Sequence, residues 1–217
     1  MFTKYGYNTL GIAAIIVFAL IILSIFVNNN ILKYILVIAG IILLIFSLNF
    51  FRDPDRTAPA SENVVVSPAD GKVLIIKEIL PDNFIEEKSW QVSIFMSPLD
   101  VHVNRIPIDG IVKHVNYIDG EYLVAYHDKA DKRNERNEIG IESKYGKVFF
   151  TQVAGKVARR IVSTLSKGDT VKLGNRFGMI KFGSRVDVIV PKKWKLKIKE
   201  NDRVTAGETI LYELPKE

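Results

Sequence analysis

Two stretches near the N-terminus limit what this chain can fold into. Thr9 to Val27 (TLGIAAIIVFALIILSIFV) and Ile35 to Phe51 (ILVIAGIILLIFSLNFF) carry no charged residue. Each approaches the roughly 20 residues that a helix needs to cross a bilayer. A secretory signal would account for the first and leave the second unexplained, and no small-residue cleavage pattern follows the first. The connection NNNILKY is short, so the two helices are expected to run antiparallel. Both ends of the hairpin then face one side. Lys4, Arg52 and Arg56 flank that side against Lys33 alone in the connection, which makes it cytoplasmic by the positive-inside rule. No ionisable residue lies inside either span to line a pathway, so the pair reads as an anchor in the cell membrane.

Residues 52–63 (RDPDRTAPASEN) are polar and hold two prolines, and they read as a linker. Beyond them, over 64–217, short β-branched runs alternate with Gly, Pro and Asp: VVVSPADGKVLII, WQVSIFMSP, GIVKHVNYI, KVFFTQVAG, VDVIV, ETILYEL. This rhythm predicts a mainly β domain, a sandwich or barrel. A helix is best placed over AGKVARRIVSTL, where Val157, Ile161, Val162 and Leu165 can share a face; strand–turn–strand fits equally well. KGDTVKLGN and ENDRVTAGE share a pattern: Asp169, Val171 and Gly174 match Asp202, Val204 and Gly207. A short repeat of this kind suits a barrel-sandwich domain of the biotinyl/lipoyl-carrier type. KKWKLKIK alternates, with lysines on one face and Trp194, Leu196 and Ile198 on the other. It reads as a lysine-protected edge strand or as a basic strip for anionic lipid.

The chain of 217 residues has no Cys and three His, with a formal charge of +6. That removes disulfides and thiol nucleophiles and leaves no metal-ligand spacing, so no metal is expected. No nucleic-acid motif accompanies the basic charge, so no nucleic-acid partner is expected. Chemistry-bearing residues cluster in three places. SPADG puts Asp70 before a glycine, an ordinary turn pair. In SPLDVHVNR an extended backbone puts Asp100, His102 and Asn104 on one face and Arg105 on the other. His114 in an alternating strand and His127 in a charged loop read as structural or solvated. Arg159 and Arg160 suit an anion, as does Arg105. GMIKFGSRVD sets Gly183 before Ser184 inside an apolar run, where a glycine weakens a strand unless the backbone needs it. Taken alone, this is a bulge or turn beside a surface serine.

As a set, SPADGKV, SPLDVHVNR, RNERN, GKVARRIV and GMIKFGSRVD resemble the phosphatidylserine decarboxylase family. They are most similar to its short archaeal and bacterial type, related to archaetidylserine decarboxylase. The resemblance covers about residues 50 to 214. It implies self-cleavage of a precursor (a zymogen) between Gly183 and Ser184, and a covalent pyruvoyl group made from Ser184. Large and small chains of the one precursor stay associated. The implied activity is that of a pyruvoyl-dependent carboxy-lyase of phospholipid biosynthesis. A Schiff base forms between that group and a serine phospholipid of the membrane, which is decarboxylated to the ethanolamine lipid. Asp70 and His102 fall on catalytic positions of the family. Two departures stand out. Larger relatives read LGST where this chain has FGSR, and they carry a second His where this chain has Arg105, so the base for self-cleavage does not transfer. Two other classes compete. A non-catalytic membrane-anchored barrel-sandwich adaptor would remain one intact chain, and a tethered metallohydrolase would need clustered ligands. Homo-oligomerisation is left open by the pattern.

Overall fold

The computed structural model describes residues 1–80, 84–121, 134–155, 160–181 and 184–215. The chain divides into two units, Met1–Asp55 and Arg56–Glu217.

The first unit is a helical hairpin of α1 (Tyr7–Phe26) and α2 (Asn30–Phe50). Asn29 caps α2, its Oδ1 accepting from the amides of Ile31 (2.9 Å) and Leu32 (3.2 Å), two of the donors a helix start leaves unsatisfied. Val17, Ser24, Gly40 and Ser47 are buried between the helices. A Cβ at Gly40 would lie 3.8 Å from Val17 Cγ1, so small residues let the backbones approach. Most large apolar side chains point outward instead. Both helices are long and apolar enough to cross a bilayer.

The second unit is mainly β. Its strands are β1 (Val64–Val66), β2 (Gly71–Ile79), β3 (Ser89–Met96), β4 (Val103–Arg105), β5 (Gly110–Ile118), β6 (Arg136–Ser143) and β7 (Gly146–Ala154), followed by β8 (Arg160–Ser163), β9 (Thr170–Val171), β10 (Arg176–Lys181), β11 (Ser184–Pro191), β12 (Lys195–Leu196), β13 (Arg203–Val204) and β14 (Ile210–Glu213). Eight of them form one curled sheet in the order β13-β2-β3-β11-β7-β6-β5-β9; β4-β10-β8 and β1-β14-β12 form two small sheets. The segment read as helix or strand–turn–strand contains strand β8 in its described part. Phe150 of β7 packs edge-on against Phe177 of β10 at 5.4 Å, joining the curled sheet to one small sheet in a shared core with Val65, Ile94, Val186 and Leu211.

The repeat seen in the sequence is real, and it is half of a larger one. Asp169 and Asp202 each close the same turn: Asp169 Oδ2 accepts from the Ser166 amide (2.8 Å), and Asp202 Oδ2 from the Lys199 amide (3.0 Å). Each turn leads into a two-residue edge strand, β9 on β5 and β13 on β2, at opposite ends of the curled sheet. Their partners repeat as well. Pro68-Ala69-Asp70-Gly71-Lys72-Val73 corresponds to Pro107-Ile108-Asp109-Gly110-Ile111-Val112. Asp70 Oδ1 accepts from the Ala206 amide (2.7 Å), and Asp109 Oδ1 from the Leu173 amide (2.6 Å). Val73 donates to the Asp202 carbonyl and Val112 to that of Asp169, both at 2.9 Å.

The two copies meet at their glycines. Gly174 (φ 81°) and Gly207 (φ 76°) both take the left-handed conformation. A Cβ on Gly207 would stand 3.5 Å from Gly174 Cα and 2.9 Å from Arg105 Cδ. The turns that follow the two edge strands of the curled sheet meet there, in keeping with the barrel-sandwich form that the sequence predicted.

The KKWKLKIK alternation holds: Trp194 is buried, and Lys193, Lys195, Lys197 and Lys199 are exposed. The segment forms the β12 edge of its small sheet. Lys192, Lys193 and Lys197 pair with Glu78, Glu87 and Glu213 at 2.7, 3.2 and 3.0 Å. Its charge is thus largely matched by neighbouring carboxylates, as a protected edge requires.

Gly207→Ala is expected to destabilise the β unit by about 1–3 kcal/mol through forced positive φ. The thermal midpoint of the detergent-solubilised chain should fall by several degrees. A midpoint equal to the parent's would remove the closure role given to this seam.

Candidate active site

Ser184 opens β11, the strand paired with β3 on one side and β7 on the other; it lies opposite Met96 and Ala154. All eight residues of β11 are buried. Alternation turns Ser184, Val186, Val188 and Val190 into the core and Arg185 and Asp187 to the other face. Ser184 is therefore not the surface serine of an ordinary turn; its exposure is 0%. Its Oγ meets Met96 Sδ at 3.3 Å. A thioether is a weak acceptor, and a buried hydroxyl so poorly matched costs roughly 1–3 kcal/mol. Gly183 lies outside the described residues.

Near Ser184 lies a series of buried amides, of which the sequence singled out only Asn104. Asn104 of β4 reaches the same Met96 sulfur at 3.8 Å and donates to the Pro68 carbonyl at 3.3 Å. Gln152 Nε2 donates to Asn104 Oδ1 (2.8 Å), and Asn137 Nδ2 donates to Gln152 Oε1 (2.9 Å). Asn134 donates to the carbonyl of Ala154, the residue opposite Ser184, at 2.7 Å. These amides link β4, β7 and β6 across the core, each satisfied by the next. The available signal was an Asn or Gln in RNERN, FFTQV and HVNR where the pattern asks for an apolar residue.

His102 is fully buried just before β4, and its backbone carbonyl accepts from the Ile180 amide at 3.4 Å. Its Nδ1 lies 2.9 Å from the Asp100 carbonyl oxygen. A carbonyl only accepts, so Nδ1 carries the hydrogen and a neutral ring keeps its lone pair on Nε2. Asp100 does not join the face of His102 and Asn104 as its spacing suggested. Its carboxylate closes the Ser97–Asp100 turn by accepting from the Ser97 amide (2.8 Å) and pairs with Arg203.

Asp70 does not bond Ser184. Lys72 and Arg185 flank Phe95 on either side, so Asp70, just before the start of β2, stands two strand spacings away, about 10 Å. Besides the Ala206 amide, its carboxylate pairs with Arg56 at 2.8 Å. Arg105 points away from Ser184: its backbone follows Asn104 in the strand, and its Nη1 donates to the Gly174 carbonyl at 2.9 Å. It cannot replace the missing second histidine as a base. Arg160 is exposed on β8, opposite Lys181. Burial, then the nearby Arg160 charge, holds the Lys181 ammonium below its ordinary pKa. Arg159 and His127 lie outside the described residues. His114 is half-buried between Phe84 and Phe149 on the outer face of the sheet. Among the described residues, no three His, Cys, Asp or Glu converge on a metal position.

The FGSR departure has a structural account. Arg185 is 1% exposed and pairs with Asp187, two residues on along the same face, at 2.8 Å. The pair sits directly behind Ser184.

Comparison with known proteins fits this arrangement. The family model for phosphatidylserine decarboxylase matches residues 43–212. The chain belongs to the phosphatidylserine decarboxylase family. It is 46% identical to a phosphatidylserine decarboxylase proenzyme of Chlorobium phaeovibrioides, covering 99% of this chain and 97% of that one. It is 43% identical to a proenzyme of the same name from Chlorobium phaeobacteroides, over 97% and 98%. A Salinibacter ruber proenzyme of that name is 50% identical over 79% of this chain and 77% of its own. The chain places its SPADG segment at the start of β2, its SPLDVH segment between β3 and β4, and Ser184 at the head of β11.

Arg185→Met is expected to leave the buried Asp187 carboxylate uncompensated, at a cost of about 3–5 kcal/mol. Paired with Asp187→Leu it should regain most of that loss. Thermal unfolding of both variants checks this, and a single variant as stable as the double one would show the pair to be dispensable.

Proposed function

We propose that this chain is a membrane-bound phosphatidylserine decarboxylase that cuts itself before Ser184 and draws its electrophile from that residue. The observation that carries the reading is the Ser184 hydroxyl: fully buried, at the head of a central strand, and matched only by a thioether among the described residues. A stable core would hold an alanine or valine there. A non-catalytic adaptor has no use for it.

The steps follow from the residues. Ser184 Oγ bonds to the carbonyl carbon of residue 183, and the bond from that carbon to the Ser184 nitrogen breaks, exchanging amide for ester. Loss of the Ser184 α-proton then breaks the Cβ–Oγ bond and releases the residue 183 carboxylate. Water displaces the nitrogen as ammonia and leaves an N-terminal ketone. The surroundings fit such a group: Met96, Ala154 and Asn104 wall the position, and no strong hydrogen bond is lost with the hydroxyl. The pyruvoyl group supplies an electron sink for the pair released when carbon dioxide leaves the serine head group. His102, with its lone pair on Nε2, takes and returns protons at the reacting carbon. The amides of Asn104 and Gln152 fix β4, the strand that follows His102. Arg160 and Lys181 offer positive charge to the lipid phosphate; Arg159 belongs to the same proposed set, whereas Arg105, turned to the Gly174 carbonyl, is left to the fold. Asp70 acts as a positioning residue, holding the SPADG turn against Ala206 and Arg56. The domain works on the cytoplasmic face, where Lys4, Arg52 and Arg56 lie.

On a denaturing gel the parent should run as two chains and Ser184→Ala as one, the latter without carbon dioxide release from phosphatidylserine vesicles. An uncut Ser184→Ala protein with parental activity would overturn the reading. The internal repeat supplies a control for Asp70. Asp70→Asn and Asp109→Asn each loosen an equivalent turn, and both should lower the thermal midpoint. Asp70→Asn alone should slow the appearance of two chains; equal cleavage rates would restrict Asp70 to the fold.

A further inference from the structure

The end of the β unit where Ser184 lies has a rim of which the chemistry above uses only Arg160 and Lys181. Its apex is Leu99, 70% exposed at the tip of the Ser97–Asp100 turn. Arg203, with its side chain 68% exposed, pairs with Asp100 at the base of that turn. Arg203 is also the strand partner of Lys72, which is exposed. On the other flank the Ile180 amide meets the His102 carbonyl at 3.4 Å, which sets Lys181 beside the turn, and Arg160 lies opposite Lys181. Four cations thus surround one exposed leucine.

The carboxylates at this end are committed elsewhere. Asp100 is taken by Arg203 and the Ser97 amide, and Asp202 by the Lys199 amide. Among the described residues, neither Lys72 nor Arg160 has a carboxylate at pairing distance. At the far end of the same sheet the pattern reverses. Pro191 lies opposite Ser89 there, and Lys192, Lys193 and Lys147 pair with Glu78, Glu87 and Glu86. Lys192 and Lys193, which open KKWKLKIK, are thus paired at the far end, whereas Lys72 and Arg160 lie unpaired among the described residues at the end where Ser184 is.

We infer that the rim of Lys72, Arg160, Lys181 and Arg203 docks on an anionic bilayer surface, with Leu99 entering the head-group layer. This rests on the lipid decarboxylase reading, since a buried Ser184 can meet a lipid head group only if the bilayer lies against this end. Cations near an anionic membrane each add attraction, and one apolar tip gives the docked state a fixed depth. The committed partner is lipid, because ringed cations around a lone leucine match phosphate above acyl chain and lack the apolar area of a protein interface.

The chain has no cysteine, so Leu99→Cys carries an environment-sensitive nitrobenzoxadiazole label at one site. The control is Leu80→Cys, a leucine 79% exposed just past the other end of β2, about 30 Å along the strand. Both full-length proteins go into phosphatidylcholine nanodiscs with or without phosphatidylglycerol. The label at 99 should shift to the blue and be quenched by brominated lipid when phosphatidylglycerol is present, and the label at 80 should stay water-like. Combined Lys72→Gln, Arg160→Gln and Lys181→Gln should abolish the phosphatidylglycerol dependence. Added salt should weaken it in the parent. A label at 99 as wet as that at 80, or one shielded without quenching by brominated lipid because another protein surface covers it, would overturn the inference. The readout is independent of catalysis: failure of the decarboxylase reading appears in carbon dioxide release, and failure of docking appears in the label.

Discussion

The hydrogen bonding of β11 on both sides is the interaction on which the structure depends. From Ser184 to Pro191 the strand is laddered to β3 along its whole length and to β7 along most of it, with every residue buried. The later strands β13 and β14 are bound into the rest in the same way. β13 forms an edge of the curled sheet, and β14 is the middle strand of β1-β14-β12. A break before Ser184 therefore removes a covalent link without freeing a piece. The C-terminal segment would leave only if the core unfolded, so a chain end made at that point would be held in place.

That constraint also explains the polarity around the site. Groups that must act on a buried strand end have to be buried with it, and buried polar groups are costly unless each is paired. The Asn104–Gln152–Asn137 series meets the requirement by hydrogen bonding amide to amide across three strands. Behind the strand, Arg185 and Asp187 meet it with opposite charges. The exception is Ser184, whose hydroxyl is left with sulfur.

Much of this architecture was readable in the residues, because its causes are local. Charge-free runs specify the helical hairpin, β-branched runs broken by Asp-Gly specify the strands, and alternation specifies the KKWKLKIK edge. The Asp169/Asp202 repeat was visible because each aspartate closes its own turn. Its other half, Asp70 against Asp109, was present as two Pro-x-Asp-Gly segments. Their equivalence depends on amides of Ala206 and Leu173 far away in sequence, so neither segment looks special alone. The site was legible as a set of family motifs, and its supporting shell was not. Asn104, Gln152 and Asn137 are ordinary polar residues until pairing register turns them toward one another. The place of Arg105 was open for the same reason: only the contact with Gly174 shows which way it points.

The internal duplication is nested, and nesting gives its two clasps different closure entropies. The inner copy closes between Asp109 and Leu173, 64 residues apart, and the outer between Asp70 and Ala206, 136 apart. Doubling the loop adds about 0.6 kcal/mol to the entropy of closure, so the inner clasp forms at lower entropic cost. The outer clasp is the one that sets the SPADG turn and β2 beside β3, and β3 in turn lies against Ser184. The surroundings of the serine are complete only when both clasps are closed, so they draw on nearly the whole length of the β unit.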